Sequence, residues 1–397
     1  MAGRTRSVAR TAGQNSRPRM CANMVELIGR FGSEEACGLH MLSLSWPGGF
    51  ECPRCGHGSC ARVAGRREFR CSSCSWQFSA TSGTCLAHTK LPLAKWFRAA
   101  FMVTRGARGA SAQSVARELG VSDATGVAVP GRLRTAMGLA QALVTVGGDW
   151  VELDACDVAC GNSGAAGVAG SGATDAPVLL VVSVTAMAGC VLSDQTAGTY
   201  EAFCAAHVSR RHQVRCDGHP AQSSALAGGW DAVARPSASD GDSEASLPAV
   251  HHCISNLKAK LAGTCHGVSA ARLQEHVDEF CWKYSHRGGD EMADLLLDVA
   301  RAPHVPLSRI RSVRGPMEAH PATREPGFRA NHRLRKRWED GERERRPPVL
   351  GRLASVLLGG AVRRLDEELA EAERLLDGLL PPIAGLLDLP DSSGRVS

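Results

Sequence analysis

The stretch Cys52-Pro-Arg-Cys55, followed after fifteen residues by Cys71-Ser-Ser-Cys74, decides the fold of the N-terminal part of this chain. Each C-x-x-C pair presents two thiolates on a tight turn, and four such soft ligands complete the tetrahedral shell of a zinc ion. About thirty residues bury little apolar surface, so the bound metal would supply much of the folding free energy. Four thiolates leave no open position for water. The spacing therefore predicts a structural Zn²⁺ site, with His57 and Cys60 as competing ligands.

Composition places the rest of the chain among globular proteins. The 397 residues include 46 Lys and Arg, 40 Asp and Glu, and 16 Cys, and 44% are hydrophobic. That length allows two or three domains. The longest apolar run, near Val178–Val184, is too short to span a bilayer, and the N-terminus lacks the apolar region of a secretory signal. We expect a cytoplasmic protein with no membrane partner, in which paired cysteines indicate metal binding rather than disulfides.

Basic residues concentrate in two blocks. Six Arg and one acid lie between Met1 and Arg30, and 13 basic and 6 acidic residues lie between Arg301 and Leu350. Such blocks suit a polyanionic partner, although many are only solvated surface. Arginines also surround the two cysteine pairs, which favours a ribbon that contacts DNA. Arg66 and Arg67 are the candidate contacts there.

Periodicity divides the chain into six segments. Helical spacing occupies 24–44, 93–104, 111–137, 249–262, 269–286 and 289–301, and strand patterns occupy 150–160, 178–185, 189–194 and 213–216. Residues 221–247 are predicted to be a loop or disordered. The predicted segments are a disordered basic N-terminus at 1–23, a helix plus zinc ribbon at 24–85, a helical DNA-binding region at 86–145, an α/β core at 149–302, a basic linker at 303–348 and a helical tail at 349–397.

One segment of the helical region resembles a helix-turn-helix. In Ser114-Val-Ala-Arg-Glu-Leu-Gly-Val-Ser122, Ala116 is the small inward residue, Gly120 the turn and Ser122 the cap of a second helix. Pro130 falls inside that second helix, where proline costs about 3 kcal/mol and is expected to break or kink it. An ordinary helical hairpin has the same pattern, so both interpretations remain open.

One aspartate lies within a strand pattern of the α/β core, and a second follows the end of another. Asp154 lies in Trp150-Val-Glu-Leu-Asp154, and Asp217 follows Gln213-Val-Arg-Cys216. Aspartates at the ends of adjacent strands can hold hard divalent cations through oxygen, although most such residues only cap loops. In the helix that follows, His251 and Lys258 are seven residues apart and share a face. His251 is the better candidate to join the aspartates.

These pieces stand in one order, and in that order the chain resembles bacterial insertion-sequence transposases of the zinc-ribbon, DDE-superfamily type. The segments that carry the resemblance are Phe31-Gly-Ser-Glu-Glu-Ala-Cys37, Trp46-Pro-Gly-Gly-Phe-Glu-Cys-Pro-Arg-Cys-Gly56, Thr89-Lys-Leu-Pro-Leu-Ala-Lys-Trp-Phe97, Val151-Glu-Leu-Asp154, Asp217-Gly-His-Pro220, Asn256-Leu-Lys258 and Leu273-Gln-Glu-His-Val-Asp-Glu-Phe280. The likeness spans about residues 25–300. It implies an α+β multidomain fold in which a zinc ribbon and a helix-turn-helix precede an RNase H-like α/β catalytic core at 149–302.

The resemblance also implies a catalytic site. By position, the family's metal-binding residues are Asp154, Asp217 and His251, which makes the chain an Asp-Asp-His variety, and Lys258 lies beside the DNA backbone. The implied cofactors are catalytic Mg²⁺ or Mn²⁺ besides the structural Zn²⁺. The implied activity is DNA cleavage and strand transfer at terminal inverted repeats. The partners are the double-stranded DNA of the element ends and the target, bound by a homodimer, at the nucleoid.

A second hypothesis is a decayed or regulatory DNA-binding protein without catalytic activity. Ala155 stands where the family has an acidic residue after the first aspartate. Loss of the metal-binding carboxylates would favour this hypothesis, and the presence of both Asp154 and Asp217 favours the enzyme.

Overall fold

The computed structural model describes residues 19–106, 109–160, 174–234, 247–265 and 267–302. Residues 1–18 of the predicted basic N-terminus lie outside these ranges, as do the predicted linker at 303–348 and the predicted tail at 349–397. Within the described ranges, no helix is long and apolar enough to cross a membrane.

Two helices stand where the apolar spacing predicts one continuous helical stretch. They are α1 (Met24–Phe31) and α2 (Glu34–Ser45). The chain breaks at Gly32 and Ser33, where the Ser33 hydroxyl accepts the backbone N–H of Ala36 at 3.1 Å and caps a new helix. A local cap therefore overrides an apolar spacing that continues across it.

A small antiparallel sheet follows α2. Its strands, in spatial order, are β1 (Cys60–Arg62), β2 (Glu68–Cys71) and β3 (Gln77–Ser79). Phe69 and Phe78 stand opposite each other in the register of β2 and β3, and both are buried. Phe78 also stacks on Phe50, with ring centroids 5.2 Å apart, and meets the edge of Trp46 at 5.6 Å. This aromatic cluster attaches the sheet to the end of α2.

Three helices then form the middle of the N-terminal half. They are α3 (Leu93–Arg105), α4 (Ala112–Leu119) and α5 (Asp123–Gln141). Gly120 ends α4 in the left-handed conformation, with φ of 57°, and Ser122 caps α5 by accepting the N–H of Thr125. A Cβ on Gly126 would lie 2.6 Å from the Cβ of Ala116. The two helices cross closely only because residue 126 has no side chain.

Of the break or kink predicted at Pro130, the break does not occur. Helix α5 continues through Pro130 to Gln141, so it is a long helix of 19 residues where the sequence predicts a short one. Pro130 is itself buried, and Val129, Leu133 and Met137 are at most 2% exposed. The apolar burial along this face exceeds the cost of about 3 kcal/mol that proline imposes inside a helix.

The C-terminal half is a mixed five-stranded sheet with helices on both faces. Its elements are β4 (Val151–Cys160), β5 (Thr174–Val182), β6 (Met187–Val191), α6 (Ala197–His207), β7 (Gln213–Cys216), α7 (Pro220–Leu226), β8 (Asp231–Ala234), α8 (Pro248–Gly263), α9 (Ala270–Ser285) and α10 (Glu291–Arg301). The spatial order is β6-β5-β4-β7-β8. The pairs β4–β5 and β5–β6 are antiparallel, whereas β4–β7 and β7–β8 are parallel. The described elements thus form a mixed α/β structure beside a small N-terminal metal-binding region.

Three details of this half differ from the sequence prediction. The hairpin between β5 and β6 turns at Ser183–Ala186, where the Ser183 N–H donates to the Ala186 carbonyl at 2.9 Å, so β5 ends at Val182 and not at the predicted residue 185. Helix α6 has no counterpart in the prediction. Residues 221–247, predicted to be loop or disordered, contain most of α7 and all of β8. Alanine, serine and glycine dominate this segment, so its apolar pattern is too weak to reveal either element.

Helix α9 joins the two halves of the described chain. One face packs on the sheet, where Val277 and Cys281 lie over Gly189 of β6, and a Cβ on Gly189 would come within 3.1 Å of both side chains. The other face packs on the N-terminal helices, and Trp282, which is fully buried, belongs to their hydrophobic core. The helix therefore has two buried faces and carries charged residues between them.

A buried ion cluster lies where α5, α8 and α9 meet. Oε2 of Glu279, a fully buried residue, lies 2.7 Å from Nε of Arg134, and its Oε1 lies 3.2 Å from Nζ of Lys260. Burial alone would raise the pKa of Glu279, but Lys260 and Arg134 together hold it well below its usual range. The carboxylate is therefore charged, and three helices depend on it for electrostatic balance.

We expect Glu279→Gln to lower the free energy of unfolding by about 3–5 kcal/mol, because Arg134 and Lys260 would remain buried without a counter-charge. Urea denaturation of the zinc-loaded protein measures the loss. The control is Glu35→Gln, which removes an ion pair to Arg62 of 2.9 Å whose acidic side chain is 55% exposed. That change should cost about 1 kcal/mol or less. Equal losses in the two variants would contradict the role given to the buried cluster.

Candidate functional site

Four cysteines converge at the N-terminal sheet. The Sγ atoms of Cys52, Cys55, Cys71 and Cys74 all lie within 4.8 Å of one another. Cys52 and Cys74 are 3.6 Å apart, and Cys55 and Cys71 are 3.7 Å apart. In a tetrahedral shell with Zn–S bonds of about 2.3 Å, sulfur atoms stand about 3.8 Å apart. The cluster therefore has the donor set and the spacing of a structural zinc site.

Local turns place the four thiols. The Gly56 N–H donates to the carbonyl of Cys52 at 2.8 Å, and the Ser75 N–H donates to that of Cys71 at 3.1 Å. Gly56 and Ser75 both adopt positive φ, at 74° and 60°, which tightens each turn around its cysteine pair. Desolvation opposes ionisation of Cys71, but the backbone N–H groups of Cys74 and Ser73 and the thiols of Cys52 and Cys55 lower the pKa of its thiol to about 6. Burial raises the pKa of the neighbouring Cys52 thiol to about 12, so the first proton leaves the group at Cys71, and a metal would have to displace the proton of Cys52.

The predicted competing ligands do not join the cluster. His57 and Cys60 lie between the two cysteine pairs, yet among the described residues only the four cysteines form a group of metal ligands with that spacing. Cys60 is the first residue of β1 and pairs with Cys71 through the backbone register. Strand pairing therefore explains its position without a metal.

The arginines of the ribbon differ in their partners. Arg66 lies 3.7 Å from Glu68 and Arg67 lies 3.3 Å from Glu34, although half or more of each arginine side chain is exposed. Arg54 and Arg70 are exposed and have no acidic partner within 4.0 Å in the part of the chain that the structure describes. With Arg62, which pairs with Glu35 at 2.9 Å, the ribbon thus presents three arginines in ion pairs and two without an acidic partner.

The first half of α5 carries no basic residue. From Asp123 to Gly131 it exposes Asp123, Ala124 and Val127, and the first arginine is Arg132. The Arg132 guanidinium donates to the carbonyl of Cys85 at 3.1 Å, and Arg134 is held in the buried ion cluster. Side-chain cations for DNA phosphates are therefore absent from the exposed start of α5.

Strand pairing brings the two predicted aspartates together. In the parallel register of β4 and β7, Leu153 stands opposite Cys216, so Asp154 and Asp217 are the next residues on neighbouring strands. Asp154 is 8% exposed, and its Oδ1 accepts the N–H of Ala155 at 2.8 Å. Asp217 is half-buried and accepts the N–H of His219 at 2.9 Å.

Helix α8 places His251 beside the first aspartate. Its Nε2 lies 3.2 Å from Oδ2 of Asp154. Burial raises the pKa of Asp154, and the nearby charge of Asp217 adds to that effect, while the Ala155 N–H and the imidazole of His251 oppose it. The pKa of Asp154 therefore responds to both Asp217 and His251, which places the three side chains within electrostatic range of one another.

Lys258 lies two turns along α8 and is exposed. Burial raises the pKa of the Cys156 thiol to about 11, and the charge of Lys258 opposes the shift, which places Lys258 near a residue of the Asp154 strand. Cys156 lies two residues after Asp154 and therefore on the same face of β4. His251 thus contacts Asp154 directly, and Lys258 acts electrostatically on a residue of the same strand.

The carboxylate site is looser than the cysteine site. Asp154, Asp217 and His251 all lie in described segments, yet within those segments only the four cysteines bring three or more ligand atoms within 4.8 Å of one another. Two carboxylates and an imidazole are suitable donors for Mg²⁺ or Mn²⁺. The donor chemistry fits a divalent cation, with His251 and Asp154 in contact and Asp217 on the adjacent strand.

One contact in this region involves a residue that no sequence motif indicates. Glu152, also on β4, accepts two backbone N–H groups from the start of α8. Its signal in the sequence is only its place two residues before Asp154, on the same strand face.

Residues 32–77 match the family model of the transposase zinc-ribbon domain. The matched segment begins just before α2 and includes all four clustered cysteines. No functionally curated protein matches the chain. The N-terminal module is therefore similar to a transposase zinc ribbon, and the match ends well before the carboxylate site.

We expect about one zinc ion per chain in the purified protein, and its loss when Cys52 or Cys71 is changed to serine, because a tetrahedral site needs all four thiolates. Metal analysis of the purified variants measures zinc content, and thermal denaturation reports the accompanying loss of stability. Cys60→Ser is the matched control and should retain its zinc. Zinc loss in Cys60→Ser, or full retention in Cys71→Ser, would contradict the ligand assignment.

Proposed function

We propose that this chain is a transposase of the zinc-ribbon, DDE-superfamily type. In this proposal the ribbon at 24–85 and the helical region at 86–145 bind the terminal inverted repeats of an insertion sequence. The core at 149–302 then cleaves the DNA and joins its ends to a target. The observation that carries the proposal is the contact between His251 and Asp154 at 3.2 Å, with Asp217 on the adjacent parallel strand.

The order of the strands supports an RNase H-like core. Along the sheet the first three strands of this half are antiparallel neighbours, and the fourth and fifth follow in parallel on the other side of the first. Strands β4 and β7 are therefore neighbours although β5, β6 and α6 separate them in the sequence. In this order Asp154 and Asp217 come from neighbouring parallel strands.

Asp154, Asp217 and His251 would hold the divalent cations. When bound, Mg²⁺ or Mn²⁺ activates water or a DNA 3′-OH and stabilises the leaving oxygen. The two aspartates would provide oxygen ligands, and Asp154, which contacts His251 and lies beside Asp217, would be the central ligand of the set. An imidazole is neutral and softer than a carboxylate, so His251 favours Mn²⁺ over Mg²⁺.

DNA contacts come from both parts of the chain in this proposal. Lys258 is exposed beside the carboxylate site and would pair with a backbone phosphate. Arg66 and Arg67 of the ribbon are largely exposed, and their weak ion pairs with acidic neighbours can exchange for phosphate contacts. Transposition joins two element ends, so a homodimer assembled on DNA follows from the chemistry.

A decayed or regulatory DNA-binding protein is the second candidate. The looser spacing of Asp154, Asp217 and His251 favours it, since these ligand atoms do not all lie within 4.8 Å of one another while the four cysteines do. Ala155 adds to this, because no second carboxylate follows Asp154. The two candidates share specific DNA binding and differ in cleavage.

The deciding experiment incubates zinc-loaded protein with labelled DNA that spans the ends of the element, in Mg²⁺ and separately in Mn²⁺. We expect nicking at the element end, faster in Mn²⁺. Asp154→Asn should lower the rate by more than about 100-fold, because loss of an outer partner of a ligand already costs about 10–100-fold. Specific binding without nicking in either metal would establish the regulatory candidate instead.

Salt dependence of DNA binding tests the position of Lys258. Lys258→Gln should reduce the slope of log K against log salt concentration by about 0.9, which is the contribution of one phosphate contact on duplex DNA. Fluorescence anisotropy from low to moderate salt measures the slope. Arg211→Gln is the control, because Arg211 is an exposed cation that precedes β7, at the end of the strand opposite Asp217. An unchanged slope in Lys258→Gln would exclude this phosphate contact.

A further inference from the structure

Glu152 is a buried acid on the central strand. It is 2% exposed and lies two residues before Asp154, so both side chains point to the face of the sheet that α8 covers. A buried carboxylate needs hydrogen-bond donors or a cation to offset its desolvation. Among the described residues, no basic side chain lies within 4.0 Å of Glu152.

Its donors are the backbone N–H groups of α8. Oε2 of Glu152 accepts the N–H of Ala249 at 2.8 Å and that of Val250 at 2.9 Å. The first residues of a helix have N–H groups without a partner inside the helix, and the helix dipole favours a negative charge beside them. Glu152, from strand β4, accepts these unpaired N–H groups of α8 and places a negative charge beside its N-terminus.

Helix α8 has no cap of its own. Leu247 precedes it and offers no side-chain acceptor, and Pro248 at the first position has no N–H. Ala249 and Val250 are therefore the first free donors, and Glu152 takes both. His251 is the next residue, and its own N–H bonds to the carbonyl of Leu247 at 3.1 Å.

We call the two hydrogen bonds from the N–H groups of Ala249 and Val250 to Glu152 the Glu152 clamp. The strand that carries Glu152 is paired on both edges and cannot shift easily. Glu152 pairs in register with Val182 of β5 on one side and with Arg215 of β7 on the other. Two residues later the same strand presents Asp154, whose Oδ2 meets His251 at 3.2 Å. One strand thus fixes both the aspartate and the start of the helix that carries the histidine.

We propose that Glu152 is a positioning residue, whose carboxylate holds the N-terminus of α8 and thereby sets His251 against Asp154. The proposal rests on the proposed function in its claim that this contact prepares a divalent-cation site. Glu152 acts through the backbone of α8 and is not itself a ligand, because its Oε2 is turned to the two N–H groups.

The test compares three variants of Glu152 that separate the effect of side-chain length from the effect of charge. Glu152→Gln keeps an acceptor oxygen at the same reach but loses the charge, Glu152→Asp keeps the charge but is one methylene shorter, and Glu152→Ala loses both. Mn²⁺ affinity of the zinc-loaded full chain is measured from the spectrum of free Mn²⁺ in electron paramagnetic resonance. We expect about 10–100-fold weaker binding in the Asp and Ala variants and less than tenfold in the Gln variant.

Thr196→Ala is the matched control. The Thr196 hydroxyl caps α6 on the other side of the sheet by accepting the N–H of Thr199, so its loss removes a helix cap without touching α8. Thermal denaturation should show lower stability in this variant with unchanged Mn²⁺ affinity. If Glu152→Asp instead bound Mn²⁺ more tightly than Glu152→Gln, the affinity would depend on the negative charge of residue 152. That result would overturn the positioning role in favour of a direct electrostatic one.

A second readout separates this proposal from the proposed function. The NMR signal of the His251 ring, assigned by its loss in His251→Gln, reports the contact with Asp154 without added metal. It should shift in the Asp and Ala variants and stay close to the wild-type position in the Gln variant. An unchanged His251 signal in Glu152→Asp would overturn the positioning role of Glu152. If the wild-type protein failed to bind Mn²⁺, the proposed function would be wrong, but the positioning role of Glu152 would not be affected.

Discussion

The pairing of strand β4 on both edges is the constraint on which the candidate site depends. One edge is antiparallel to β5 and the other is parallel to β7, so the strand cannot slide without breaking two ladders. A shift of one residue would turn Glu152 and Asp154 to the opposite face. Because Asp217 comes from β7 and His251 from a helix clamped by Glu152, each candidate ligand is positioned relative to this one strand.

The attachment of the N-terminal helices to the sheet follows a different principle. A hydrophobic interface alone would tolerate many orientations of α5 on α9, but the buried Glu279 accepts ion pairs from α5 and α8 at once. Such a cluster adds little net stability compared with apolar packing, and its main effect is to penalise every arrangement that separates the charges. The buried Glu279 therefore fixes the orientation of α5 relative to α8, the helix that carries His251 and Lys258.

The sequence predicts best those features that depend on neighbours close in the chain. The four cysteines converge as their spacing indicates, and the strand that contains Asp154 and the strand before Asp217 both end at the predicted residues, Cys160 and Cys216. Features that depend on tertiary packing are hidden. Pro130 continues a helix only because its surroundings bury it, and the strand at 231–234 forms because β7 offers an open edge. The capping role of Glu152 has no local signal, since its partners lie almost a hundred residues further along the chain.

The two candidate metal sites differ in how the fold builds them, and that difference bears on their chemistry. The cysteines come from two tight turns, each with its own backbone hydrogen bonds, and their sulfur atoms stand close together. The carboxylates come from separate strands and the imidazole from a helix, and their spacing is wider. Under the proposed function, the closed set of four thiolates would hold a structural ion, whereas the wider set would leave positions for water and a DNA phosphate. A protein that folds around one metal ion and uses another in a reaction needs a permanent ligand set for the first ion. It needs exchangeable ligands for the second.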